Sequence, residues 1–225
     1  HEAGHAAISW LLEFASPLVK VTIVPRGKSL GAAWYLPEER QLSSSNQILD
    51  EMCAALGGRA AEELIFGQVT TGALSDLEKV TKQARAMVTV YGLNEKLGNI
   101  TYYDSSDQND YQFNKPYSEK TAQIIDEEIS SIIETQYIRA KDLLAANKDK
   151  LTSLANELLE KEVIFKESME GIFGKRPWTS RMDIVEKSNA VAKPTKQSKA
   201  KKATKSKKKT ASKAGDQDQG TDGDK

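Results

Sequence analysis

The 225 residues contain only two histidines, one cysteine and no apolar run approaching a membrane span, and the formal charge is zero. Each scarcity excludes something. Cys53 stands alone and cannot close an internal disulfide, which suits a reducing compartment, and its place in a helical pattern makes it a core residue. Without about 18 to 20 consecutive apolar residues or a basic-then-apolar leader, these 225 residues are expected by themselves neither to span a membrane nor to be exported. The zero charge is a cancellation. Eleven of the 32 basic and four of the 32 acidic side chains lie in residues 193–225, which leaves 21 basic and 28 acidic in the preceding 192 residues. The part that can fold is acidic, which argues against nucleic acid as its ligand.

Both histidines fall in the first five residues, His1-Glu2-Ala3-Gly4-His5. On a helix, side chains four apart lie one above the other on one face, so the two imidazoles can grip one first-row metal ion, and zinc is the default occupant. Glu2, one residue round the helix, faces an open position of that ion and not the ion itself. It is the candidate general base: a metal lowers the pKa of its bound water towards about 7, Glu2 takes the proton, and the hydroxide attacks a polarised carbonyl. That chemistry is peptide hydrolysis. A chain that begins on its first candidate ligand is expected to be part of a longer protein, because preceding turns would normally hold His1.

The opening helix is expected to reach Phe14, with Ile8, Leu11 and Leu12 on its apolar face and Pro17 beyond. Val19, Val21 and Ile23 alternate with Lys20 and Thr22 as a strand, stopped by Pro25-Arg26-Gly27. Gly31 to Leu36 reads as a second strand ending at Pro37, suited to a sheet edge. In a peptidase such an edge, with Gly31, Ala32, Ala33 and Trp34, can pair with an extended substrate. A simple hairpin covering the first helix explains the same residues.

Ile48, Leu49, Met52, Leu56, Ala60 and Leu64 mark a helix from Ser44 to Phe66, stopped by Gly67. Gly57-Gly58 inside it costs about 1 kcal/mol per glycine relative to alanine, which implies close approach by a neighbour. Ser75 with Glu78 reads as a capping box opening a helix that ends near Gly92. Residues 98–103 suggest a short strand, and 104–117 form a polar loop. Ser118 opens a long helix (Ala122, Ile125, Ile129, Ile132, Ile133, Tyr137, Ala140, Leu144), Asn147 caps another (Leu151, Leu154, Leu158, Leu159), and Met169, Ile172 and Phe173 form a short piece stopped by Gly174. Beyond Asn189 the chain is Lys-rich, then Asp- and Gly-rich, without an aromatic residue, and cannot bury enough apolar surface to fold.

Leu11 stands where a third histidine six residues after His5 would be needed, so the third ligand must be a carboxylate. Glu62, Glu63 and Asp76 are the candidates. Several motifs in order then carry a resemblance: HEAGHA, the Val24 to Gly27 turn, Leu30-Gly31 with Leu36-Pro37, Gly57 to Leu64, and Thr71-Gly72-Ala73 with Asp76. Over about residues 1 to 174 the chain closely resembles the peptidase domain of FtsH-type AAA+ proteases, the family of bacterial FtsH and the mitochondrial inner-membrane AAA proteases. Ser75 replaces the asparagine usual before the family's aspartate.

The resemblance implies a mainly α-helical zinc metallopeptidase domain (1–174) with a small β-hairpin and edge strand; composition adds the expectation of a linker (175–189) and a disordered tail (190–225). It implies one zinc ion held by His1, His5 and Asp76, with Glu2 as general base and Glu62 orienting a ligand histidine. Polypeptides would be the substrates, in a homo-hexameric ring anchored in the bacterial plasma membrane or mitochondrial inner membrane, the domain lying on the cytoplasmic or matrix side. No G-x-x-x-x-G-K-[ST] occurs here, so ATP would bind only in a module upstream of His1. Two other classes remain: an inactive scaffold for ring assembly, which an intact Glu2 argues against, and RNA or anionic-surface binding through the lysine tail.

Overall fold

The computed structural model describes residues 1–25, 31–35, 42–103 and 116–178. The Arg26-Gly27 turn, Leu36-Pro37, residues 104–115 of the polar loop, and the linker and tail from 179 onward lie outside them. The fold is mainly α: α1 (Glu2–Leu11), β1 (Leu18–Thr22), β2 (Ala32–Tyr35), α2 (Ser45–Phe66), a 3-10 turn (Thr71–Ala73), α3 (Leu74–Thr89), α4 (Glu119–Ala146), α5 (Lys148–Lys161), β3 (Val163–Phe165) and α6 (Lys166–Phe173).

Helix α2 is the central rod. Ser44 and Gln47 form a reciprocal capping box at its start, and Gly67, at φ +67°, closes its end by donating to the Glu63 carbonyl at 2.9 Å. One face packs with α1, β1, α5 and α6 around Ile8, Leu154, Ile164 and Met169. The other packs with α3 and α4 around Met52, Leu56, Val80 and Ile125. Burial on two sides covers Cys53, Ala54, Ala55 and Ala61 as well as the apolar stripe read from the sequence. Burial pushes the Cys53 thiol up to about 12, so it stays a neutral core group.

The α1–α2 crossing requires its glycines. A Cβ on Gly57 would lie 2.7 Å from the Gly4 carbonyl oxygen, and one on Gly4 would collide with the Gly57 carbonyl. The backbones therefore touch, which repays the helix propensity lost at Gly57.

Long-range polar contacts move several boundaries. Helix α1 stops at Leu11, not Phe14, with Leu12 extended at φ −98°, ψ 140°. Buried Asp50 takes the Phe14 N–H at 3.0 Å and pairs with Arg139 at 2.8 Å, while Arg176 donates to the Leu12 and Ala15 carbonyls at 2.7 Å. Partners 36 to 164 residues away thus replace the helical hydrogen bonds. Trp178 also donates to the Leu11 carbonyl at 3.4 Å, so residues 175–178 pack on the end of α1.

The sheet has the order β2-β1-β3, both pairs antiparallel, which makes β2 an edge strand. An irregularity between Leu18 and Lys20 breaks the alternation expected of β1: Leu18 and Val21 point inward, and Val19 is exposed. Strand β3, three β-favouring residues not expected as a strand, forms where Glu162, at φ +59°, turns the chain so that Val163–Phe165 can pair with β1. Residues 98–103 form no strand beyond a bridge from Gly98 to Asn94, because the Asn94 side chain accepts from Lys96 and Leu97 N–H and closes a turn. Asn147 is the N-cap of α5, as expected, its carbonyl accepting the Leu151 N–H at 2.9 Å, but its side-chain amide donates back to the Leu143 carbonyl at 3.0 Å and makes no capping bond. Leu159, expected in the α5 stripe, is 70% exposed.

Candidate metal centre

His1 occupies the N-cap position of α1 and His5 lies one turn on, its N–H donating to the His1 carbonyl at 3.2 Å. The close α1–α2 crossing presses both rings against α2. His1 Nδ1–H donates to Glu62 Oε1 at 2.7 Å, and His5 Nδ1–H donates to the Ala54 carbonyl at 2.9 Å. With each Nδ1 engaged as a donor, each Nε2 keeps its lone pair. Those two nitrogens lie 3.1 Å apart, and Asp76 Oδ2 lies 3.4 Å from the first and 3.5 Å from the second.

Two lone pairs and a carboxylate oxygen facing one another are mutually repulsive unless a cation stands among them. Ligand bonds of about 2.0 to 2.2 Å at tetrahedral angles place donor atoms about 3.3 to 3.6 Å apart, the spacing zinc demands. The triangle here runs from 3.1 to 3.5 Å. His1, His5 and Asp76 therefore offer three convergent donors that fit such an ion, and they are the one such group among the described residues.

Asp76 arrives from α3. The expected capping box is absent: α3 begins at Leu74 after Ala73, so Ser75 already lies in its first turn and caps nothing. The preceding turn is capped instead by Thr70, whose hydroxyl accepts the Gly72 N–H at 3.2 Å. Burial pushes the Asp76 carboxyl up, but the neighbouring His1 and His5 outweigh it and hold it well below the usual carboxylate range. The Asp76 contact in turn raises His1, with Glu62 adding and burial opposing.

Glu62 and Glu63, adjacent on α2, diverge. Burial pushes the Glu62 carboxyl up, but bonds from Thr70 and His1 more than offset it and keep it ionised. Glu63 turns away to accept from Tyr137 and Lys141, outside the cluster. Glu2 stands beside the triangle without joining it. Desolvation raises its carboxyl above the usual range, opposed by His5 and His1. Gly31 is the residue that leaves it room: a Cβ there would come within 2.7 Å of Glu2 Oε1.

His1, Glu2, His5, Glu62, Thr70 and Asp76 open onto one cleft of about 1110 Å³, which Glu63 does not line. Gly31, Ala32, Ala33 and Trp34, the candidate substrate strand, line it together with His1, Glu2, His5, Glu62 and Asp76. Sequence reasoning missed three participants: the Ala54 carbonyl, Thr70, and Gly58, where a Cβ would lie 2.6 Å from His1 Nε2. The Gly57-Gly58 pair carried a legible signal of close approach, though not of what approaches.

Residues 1–172 match the family described as Peptidase family M41. An ATP-dependent zinc metalloprotease FtsH of Parabacteroides distasonis is 60% identical over 197 residues, covering 86% of this chain and 29% of the relative. FtsH of Karelsulcia muelleri is 56% identical, covering 76% and 28%, and the mouse mitochondrial inner membrane m-AAA protease component AFG3L1 is 48% identical, covering 80% and 23%. The chain thus spans between a fifth and a third of the length of these relatives. On the family match and on these identities, the chain belongs to peptidase family M41.

Proposed function

We propose that this chain is the zinc endopeptidase part of a membrane-anchored, ATP-dependent protease that degrades unfolded or membrane polypeptides. The observation that carries the reading is the convergence of His1 Nε2, His5 Nε2 and Asp76 Oδ2 to within 3.5 Å, with Glu2 beside them in the cleft. Zinc, when held by these three residues, supplies Lewis acidity that polarises the scissile carbonyl and acidifies water. Glu2 takes the proton of the attacking water and delivers it to the departing amine. Its desolvated carboxyl is raised towards the range where both halves of that transfer are efficient.

Among the described residues strand β2 pairs with β1 alone, so the other edge of Ala32 to Trp34, which lines the cleft, can offer main-chain donors and acceptors to an extended substrate. Such pairing reads an unfolded backbone more than side chains, which suits a degradative enzyme. In this proposal the full-length protein is ATP-dependent and membrane-attached, in keeping with the names of its FtsH and inner-membrane m-AAA relatives, and it works as a ring on polypeptides it has unfolded. None of the described helices is long and apolar enough to cross a membrane.

The test is proteolysis of an unfolded protein by the full-length enzyme. A strong zinc chelator should remove more than about 99% of the cleavage, since transition-metal Lewis acidity carries several kcal/mol of the barrier, and added zinc should restore it. Cleavage that persists through chelation counts against the proposal.

A further inference from the structure

We propose that Thr70 is a positioning residue of the metal centre, its hydroxyl tying the orientation of His1 to the placement of Asp76. The inference rests on the metal-binding reading above. Glu62 can aim the His1 ring only if its own carboxylate is held, and both of its oxygens are occupied. Oε1 accepts from His1 Nδ1 at 2.7 Å and from the Thr70 hydroxyl at 3.2 Å, and Oε2 accepts the Thr70 N–H at 2.8 Å. The same hydroxyl oxygen accepts the Gly72 N–H at 3.2 Å, at the head of the 3-10 turn that leads into α3 and Asp76.

One oxygen therefore stands between the two halves of the site. Towards α2 it donates to the residue that steers a histidine. Towards α3 it accepts from the turn that delivers the aspartate. The left-handed Gly67 at the end of α2 reverses the chain and brings Thr70, eight residues after Glu62, back over that glutamate. The β-branch of threonine restricts χ1 and keeps the hydroxyl between its two partners. Partners behind the ligands typically govern metal affinity by about 10- to 100-fold. Thr70 is one bond further out, but it holds both the carboxylate and the turn.

Thr70→Val tests this, because valine keeps the branched shape and the backbone N–H and loses only the hydroxyl. Zinc affinity, read by chelator competition, should fall about 10-fold or more with an unchanged circular dichroism spectrum, while Thr70→Ser stays within about threefold. In a Glu62→Gln background the valine substitution should cost clearly less than in the parent, because the arm of its effect that runs through Glu62 is already lost and only the hold on the turn before Asp76 remains. Parent-like zinc affinity in Thr70→Val overturns the proposal. So does a valine effect undiminished beside Glu62→Gln, which would make Thr70 a turn cap alone. A parent chain that takes up no zinc contradicts the metal-binding reading itself, and this inference falls with it.

Discussion

Replacing Glu2 with glutamine is expected to leave zinc content and fold unchanged while reducing peptide hydrolysis by about 10²- to 10⁴-fold, the usual contribution of a positioned general base. Glutamine preserves the shape and the packing beneath Gly31 but has no basic oxygen for a proton. Glu2 is not one of the three convergent donors, so its loss should not release the ion. The measurement pairs the cleavage rate of a fluorogenic peptide with metal analysis of the same sample. Cleavage within tenfold of the parent would remove Glu2 from the mechanism, and lost zinc would show that it acts as a ligand.

Gly58→Ala is the second substitution with a large expected effect, and it changes no polar group. The added methyl would lie 2.6 Å from His1 Nε2 and 2.7 Å from His5 Nε2, beside the nitrogens that face the ion. The rings cannot swing aside freely, because Glu62 holds one and the Ala54 carbonyl the other. Helix propensity pulls the opposite way, since alanine is favoured over glycine by about 1 kcal/mol in a helix interior. The variant should therefore fold as the parent does yet bind zinc more weakly by more than about 100-fold, beyond the range of partners behind the ligands. Isothermal titration after chelator stripping reads that loss. Parent-like affinity would mean that α2 shifts to admit the methyl.

How much of this was legible in the sequence depends on the range of the interactions. The His1 and His5 pair, the Ser44 start and the Gly67 stop are local, with helix period and cap chemistry deciding them, and all three lie where the sequence places them. The third carboxylate was not legible from spacing. Glu62 and Glu63 sit one residue apart, about 100° around a helix, and what separates them is Tyr137 and Lys141 on α4 claiming Glu63. Asp76 joins the histidines only because Gly67 and the Thr70 turn fold α3 back over α2, a path that no periodicity encodes. The premature end of α1 and the pairing of β3 share that cause: Asp50, Arg176 and β1 act from far along the chain. The Ser75 reading failed for a smaller reason. Thr70 had already satisfied the turn before α3, and the helix opened one residue ahead of the serine.

The central claim is that His1, His5 and Asp76 together hold one zinc ion, and metal analysis of the purified protein beside its Asp76→Ala variant tests it most directly. The account expects about one zinc per chain in the parent, as a single site of three protein ligands requires, and none retained by the variant after dialysis. Zinc kept at parent level without Asp76 would contradict it and move the third donor to another carboxylate of the cleft.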